Sequence, residues 1–342
     1  MNPETPSPEV PSLRSLITGY EASQVLYVAA RLGVADLLAA GPRTAEALAE
    51  ALGADAGALH RVLHALAALG LLAHLGESRY ALAESGGRLR DGVPGSLRAV
   101  ALLSGERSYR AWGGLLHSVR TGETAFRHVF GMGTFDYMAA HPEIAGFYNE
   151  GQAAGAAERT AAVVAAYDFS GSGTVVDIGG GHGTLLIAIL SANSGARGVL
   201  FERESVAVGA RTRIEAAGLG SRCSVVPGDF FQSVAGGGDV YLLSHVIHNW
   251  DDQRGASILA SCRAAMSPGA KLLILEQVLP ERFVPSRAAV QAAMADLHML
   301  AITGGQERTA GQYRELLAGA GFKLTSVTPT AVAESLIEGV PI

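Results

Sequence analysis

Val175-Val176-Asp177-Ile178-Gly179-Gly180-Gly181-His182-Gly183-Thr184 runs an apolar strand into a glycine turn and then into a helix. Val175, Val176 and Ile178 suit a buried strand, glycines recur at 179, 181 and 183, and the apolar run Leu185 to Leu190 follows at helical length. A strand that ends in glycines lets backbone approach a ligand with no Cβ in the way. The helix start then offers unpaired N–H groups to a polar or anionic part of that ligand. About 20 residues on, Glu202 closes a second apolar strand, where a carboxylate can accept both hydroxyls of a ribose. The C-terminal half therefore predicts a site for a nucleoside-containing cofactor.

The dinucleotide fingerprint is G-x-G-x-x-G. Here Thr184 stands three residues after Gly181 and the pattern is G-x-G-x-G, a spacing commoner in sites for S-adenosylmethionine, which has no pyrophosphate to cradle. The rest of the chain bounds the reading. At 342 residues it has room for about two domains, and with 49% hydrophobic residues it can bury a large core. A net charge of −6 argues against bulk nucleic-acid binding and against an anionic membrane surface. Cys223 and Cys262 are the only cysteines, too few for a disulfide scaffold or a zinc site, so no metal is expected. The proline-rich start, residues 1–12, reads as a loose tail without a signal pattern, and no window of about 20 residues lacks polar breaks. A cytoplasmic soluble protein is the expectation.

Ser15 to Leu38 has helical periodicity, Thr44 is placed to cap a short helix Ala45 to Leu52, and Asp55 to cap another from Ala56 to Leu69. A β-ribbon follows, Leu71–Leu75 and Arg79–Leu82 around a turn at Gly76-Glu77-Ser78. Helix, short helix, helix and ribbon make a winged-helix pattern. The last of these helices, Ala56 to Leu69, lacks the basic face that phosphate tracking needs, which favours packing or dimerisation over DNA reading. Leu97 to Arg120 and Ile144 to Ala166 read as helices. From Thr174 onward strands and helices alternate, with strands expected at 174–178, 198–202, 223–227, 239–244 and 271–277, which predicts a parallel sheet covered by helices. Segments 323–329 and 333–339 leave no room for a crossover and should pair antiparallel.

In such a sheet the ligand crevice lies beyond the strand C-termini where strand order reverses. Val240 to Ser244 should neighbour the glycine-loop strand there, and His245-Val246-Ile247-His248-Asn249-Trp250-Asp251-Asp252 follows it. His248 is the candidate proton acceptor, because an imidazole is mostly neutral at physiological pH. His245 reads as a packing or cofactor-edge residue. Asp229 and Phe230 suit an adenine, one for the exocyclic amine and one for the π-face, or else form an ordinary turn beside core phenylalanines. Glu276 ends an apolar strand at the same crevice, and Glu307 lies in the loop Gly304-Gly305-Gln306-Glu307-Arg308-Thr309, before a helix that Thr309 and Gln312 can cap as a box.

Taken in order and spacing, Ala166-Tyr167-Asp168-Phe169, Asp177 to Gly181, Gly228-Asp229-Phe230-Phe231, His248 to Asp252 and Gly304 to Arg308 resemble the class I S-adenosylmethionine-dependent O-methyltransferases of the caffeate and isoflavone type. The bacterial branch that methylates aromatic natural-product phenols is the nearer likeness. The resemblance implies an α/β fold: a Rossmann-like methyltransferase domain over 167–342, with a parallel sheet and an antiparallel C-terminal hairpin. It also implies a winged-helix-like dimerisation domain over 1–97 and a helical link, 98–166, that walls the substrate pocket. It places His248 on the catalytic base and Glu276 and Glu307 on the acids that hold it. Gly179, Gly181, Glu202, Asp229, Phe230 and Ser244 fall on cofactor positions, and Asn149, Gln152, Met299 and Thr303 near the substrate. S-adenosylmethionine without a metal, a small aromatic substrate and a homodimer are implied, with no nucleic acid or membrane partner. One departure is Asn249, where the family usually has aspartate; an amide keeps hydrogen bonds but no charge, and Asp251 is near enough in sequence to compensate. Three other readings stay open here. The first is the same fold using the cofactor for a hydroxylation, decarboxylation or pericyclic step. The others are a ligand-sensing DNA-binding regulator and an NAD-dependent oxidoreductase.

Overall fold

The computed structural model describes residues 12–153 and 155–342. Of the expected N-terminal tail only Ser12 falls among them, and its hydroxyl caps the helix Leu13–Ile17 by accepting from the Ser15 N–H at 3.1 Å. The chain forms two compact units, one reaching Arg120 and resuming over Ala125–Gly155, the other holding Thr121–Thr124 and Ala156–Ile342. Segment 98–166 is therefore divided between them rather than being a separate link.

In the first unit the capping signals act as read. Thr44 caps Ala45–Leu52 and Asp55 caps Ala56–Ala68, each by a side-chain oxygen on the N3 amide, while Gly53 turns left-handed between them. Strands β1 (Arg43–Thr44), β2 (Leu72–His74) and β3 (Arg79–Leu82) form a small antiparallel sheet in the order β1-β3-β2. Leu48, Leu63, Leu66 and Tyr80 fill the core between sheet and helices. The long helices read from periodicity are broken. Ser15 to Leu38 lies in three pieces, Leu13–Ile17, Gly19–Leu32 and Val34–Ala39, the last two hinged where Gly33 takes φ +74°. Leu97 to Arg120 is interrupted by a π-helical turn, Ser104–Ser108, and again at Gly114.

The second unit is built on β4 (Thr174–Ile178), β5 (Arg197–Glu202), β6 (Cys223–Pro227), β7 (Val240–Ser244), β8 (Lys271–Leu279), β9 (Arg308–Thr309), β10 (Phe322–Pro329) and β11 (Glu334–Pro341). The sheet order is β10-β11-β8-β7-β4-β5-β6, with β9 pairing the end of β8. Strands β4 to β8 run parallel, and β11 pairs antiparallel with both β8 and β10. Chain order reverses between β4 and β7, which sets the crevice at their C-terminal ends. Both faces are covered, so successive side chains enter different cores: Val176, Tyr241 and Leu243 on one face, Val175, Leu242 and Leu273 on the other. Near-continuous apolar strands follow from that double burial. Among the described residues no helix is long and apolar enough to cross a membrane.

Leu242 is completely buried at the sheet centre. Leu242→Ala should lower the free energy of unfolding by about 2–5 kcal/mol, read as a lower urea midpoint; a loss below about 0.5 kcal/mol would contradict its place in the core.

Candidate active site

The glycine turn leaves β4 through residues that need positive φ, with Gly179 at +69°, Gly181 at +59° and Gly183 at +75°. A Cβ on Gly179 would meet Val246 at 3.0 Å and the Phe230 ring at 3.5 Å, and one on Gly180 would fall on the Asp177 carboxylate. The turn is thus held open for backbone only. Glu202, ending the neighbouring β5, accepts from the Gly181 N–H at 3.0 Å and from its own neighbour Arg203 N–H at 2.8 Å. This carboxylate is anchored on the turn it faces. Asp177 lies beneath, buried, and burial with the charge of Glu202 pushes its carboxyl up to about 7. Asp229 braces its turn: its carboxylate accepts from the Phe231 N–H at 2.9 Å and is approached by the Gln232 amide at 3.4 Å. Phe230 stands edge-on to Phe231 and Trp250 while facing Gly179.

Past β7 the chain turns through His245, a non-glycine residue at φ +55°. Its ring nitrogens are both engaged, Nδ1 with the Ser244 hydroxyl at 3.2 Å and Nε2 with Glu334 at 3.0 Å. Both nitrogens are thus held within the turn, which ties Ser244 into it. His248 follows in the short 3-10 turn Ile247–Asn249. Its Nδ1 lies 3.0 Å from Glu307 Oε1 and 3.0 Å from Glu276 Oε2. Only the Glu307 contact is aligned for a hydrogen bond; Glu276 Oε2 lies out of line, and its other oxygen instead accepts from the His248 backbone N–H at 3.2 Å. Glu307 therefore orients the ring and Glu276 the backbone. A carboxylate can only accept, so Nδ1 carries the proton and Nε2 keeps its lone pair. Burial pulls the His248 pKa down most strongly of the single influences. The charges of Glu276 and Glu307 and the Glu307 hydrogen bond together outweigh it, leaving it above the ordinary imidazole value. Burial pushes Glu276 up, partly offset by His248.

Arg308, fully buried, holds this turn in place. Its guanidinium donates to the carbonyls of Ile247 at 3.3 Å and Trp250 at 2.9 Å, which bracket His248, and to Asp252 at 2.8 Å. Gln306 N–H donates to the His248 carbonyl at 2.9 Å, and Gly305 presses on the same carbonyl with no room for a Cβ. Asp296 accepts from the Glu307 N–H at 2.9 Å. Asn249 donates its amide to the carbonyls of His245 at 2.9 Å and Val246 at 3.4 Å. An aspartate cannot donate to them, so the amide braces the turn rather than standing in for a charge. Asp251 caps the helix Asp252–Ala265, its carboxylate accepting from Arg254 N–H at 2.8 Å. Residue type alone gave no sign of these carbonyl partners for Arg308 and Asn249; they depend on the meeting of two distant loops.

Asn149 and Gln152 lie on the helix Pro142–Ala153 of the first unit, with Gln152 donating to the Tyr148 hydroxyl at 2.9 Å. Met299 and Thr303 lie at the end of the helix Arg287–Ile302 of the second, where the Thr303 hydroxyl donates to the Met299 carbonyl at 3.1 Å, two residues before Gly305. Among the described residues the one group of side chains whose donor atoms approach closely enough to share an ion is His248, Glu276 and Glu307. Their 3.0 Å spacing equally suits a shared proton.

Residues 15–89 match the O-methyltransferase dimerisation domain and residues 112–323 the O-methyltransferase domain. The chain is 47% identical over 330 residues to the phenazine O-methyltransferase PhzM of Lysobacter antibioticus, covering 96% of each. It is 43% identical over 334 residues to the O-demethylpuromycin-O-methyltransferase of Streptomyces alboniger, covering 96% of this chain and 88% of that one. Among solved structures, NcsB1 from neocarzinostatin biosynthesis, an O-methyltransferase in complex with S-adenosylmethionine and 2-hydroxy-5-methyl naphthoic acid, superposes with a TM-score of 0.87 at 32% identity, covering 98% of this chain and all of that one. The readings as a DNA-binding regulator and as an NAD-dependent oxidoreductase give way to these likenesses. The chain belongs to the bacterial natural-product branch of the S-adenosylmethionine-dependent O-methyltransferases.

Proposed function

We propose that this enzyme moves a methyl group from S-adenosylmethionine to a phenolic hydroxyl of a small aromatic natural product, with His248 as general base. The observation that carries the reading is His248 with Nδ1 fixed on Glu307 and Nε2 left as the basic nitrogen. The glycine turn supports the cofactor: it has no room for a side chain at Gly179 and an acid at the end of the adjacent strand. Gly179 and Gly181 would present backbone to the cofactor, Glu202 its free lone pairs to the ribose, Phe230 its ring to the adenine, with Asp229 and Ser244 at the edges. S-adenosylmethionine bound there supplies an electrophilic methyl on a sulfonium.

A phenol, with a pKa near 10, is a poor nucleophile until its proton leaves. His248 Nε2 accepts that proton, and Glu307 and Glu276 stabilise the resulting imidazolium. Such a base is worth roughly 10²- to 10⁴-fold, and alignment of the reacting atoms supplies much of the rest. Relatives that act on a phenazine, on O-demethylpuromycin and on a naphthoic acid support a fused or substituted aromatic acceptor. Asn149, Gln152, Met299 and Thr303 are the proposed contacts to it. A homodimer is the matching assembly. Leu13, Leu16 and Ile17, with Tyr20 one turn on, form an exposed apolar stripe, and Leu116 and Val119 are also exposed in the same unit.

His248→Ala should cut kcat by roughly 10²- to 10⁴-fold while calorimetry finds S-adenosylhomocysteine bound as before; undiminished turnover removes the base role. A neutral imidazole is required and its pKa is raised, so kcat/KM should climb with pH through an inflection above about 6.5. Glu307→Gln removes a charge that raises that pKa, so the inflection should move to lower pH as the rate falls; an unmoved profile rejects the pairing. Light scattering should give twice the chain mass, and Leu16→Glu with Ile17→Glu should give the single-chain mass. A dimer that survives both changes rejects this stripe as the interface.

A further inference from the structure

Among the described residues, Arg107 is a buried cation without an anion. It sits in the π-helical turn Ser104–Ser108, joining the helices Arg98–Leu103 and Tyr109–Gly113, and is only 6% exposed. Its Nη1 points at the Met138 sulfur at 3.7 Å, and its guanidinium carbon lies 5.7 Å from the centre of the Tyr148 ring. Its Nε is buried with no hydrogen-bond partner, and among the described residues no carboxylate pairs with it. Its chain neighbour Glu106 adds to the field on Arg31, which Glu143 pairs at 2.8 Å. Burial draws the Arg107 pKa down, with Tyr148 and Tyr137 offsetting part of this. A guanidinium stays protonated through such a shift.

An unpaired buried charge is strongly unfavourable, and an apolar side chain of similar length would fill the same space without that penalty. Wide helical turns of this kind are rare and concentrate at functional sites. Here Gly105 packs on the Tyr27 ring with no room for a Cβ, so the turn is pinned on one side while Arg107, two residues on, faces the other. The surroundings are aromatic and thioether surfaces, suited to a flat ring, and the fork of the guanidinium matches a planar carboxylate. Tyr148 is itself steadied by Gln152, through the 2.9 Å hydrogen bond to its hydroxyl.

We propose that Arg107 anchors the carboxylate of an aromatic acid lying against Met138 and Tyr148. This subsite lies wholly within the first unit, and the class of molecule it takes is an aromatic carboxylic acid rather than a neutral phenol.

The test is calorimetry on the full-length protein saturated with S-adenosylhomocysteine. The probes are 3-hydroxy-2-naphthoate and phenazine-1-carboxylate, each against its carboxamide. The wild type should bind the acid of at least one pair about 10- to 100-fold more tightly than the amide. Arg107→Met should bring that ratio close to one while S-adenosylhomocysteine affinity is unchanged, and Arg107→Lys, which keeps the charge and loses the fork, should fall between. The ligand-free Arg107→Met protein should melt no lower than the wild type. Equal affinity for acid and amide in every wild-type pair overturns the proposal, as does a preference that survives in Arg107→Met. An Arg107→Met protein that melts lower or fails to fold also overturns it, since the guanidinium would then serve the fold. Failure of S-adenosylhomocysteine to bind counts against the methyltransferase reading alone, because the acid and amide comparison is still readable on the protein without it.

Discussion

The hydrogen bond from His248 Nδ1 to Glu307 is the interaction on which the site depends. It selects the tautomer, fixes the ring plane and leaves Nε2 basic. It also explains a cluster that would otherwise be unfavourable. Glu276 and Glu307 are two buried acids on one imidazole, and Arg308 beside them is a buried base. Arg308 is itself paired with Asp252 at 2.8 Å, so with the imidazole neutral and both acids ionised the cluster keeps an excess of negative charge, which a proton on His248 would reduce. On the proposed reading, the pocket would suit the charge distribution that follows proton transfer, which is where preorganised electrostatics accelerates a reaction.

Such an arrangement requires that the turn bearing His248 not relax away from the acids. Three independent ties hold it: the Arg308 guanidinium on the Ile247 and Trp250 carbonyls, the Gln306 N–H on the His248 carbonyl, and the Asn249 amide on the His245 and Val246 carbonyls. The last tie answers a strain. His245 adopts a positive φ that is uncommon for a residue with a side chain, and the bonds to Asn249, Ser244 and Glu334 surround it. In this light Asn249 is a consequence of how the chain leaves β7.

Much of this was legible in the sequence because it is local. The strands at 174–178 and 223–227 lie where the apolar runs put them, and the capping Thr44 and Asp55 fall at their helix starts. The neighbouring of β4 and β7 also followed from the βα alternation. What escaped was decided by contacts at long range or by a single residue's backbone. Gly33 inside a helical pattern gives no sign that it will turn left-handed, and a two-residue strand such as β1 has no periodicity to detect. Glu202 could be assigned to a crevice but not to the Gly181 N–H, and Asp251 could be read as a spare charge until the helix start claimed it.

The acids of the site share one physical logic. Parallel strands end with N–H groups that no neighbour satisfies, and loops that leave them inherit the deficit. Glu202 accepts from Gly181 and Arg203, Asp229 from Phe231, Glu276 from His248 and Asp296 from Glu307. Each carboxylate fixes a loop by taking an amide hydrogen with one or more lone pairs and keeps others for a partner. A neutral amide or hydroxyl could satisfy the same N–H groups, but it could not also raise the basicity of an imidazole. Glu276 meets both needs, taking the His248 N–H with one oxygen and standing 3.0 Å from its ring with the other.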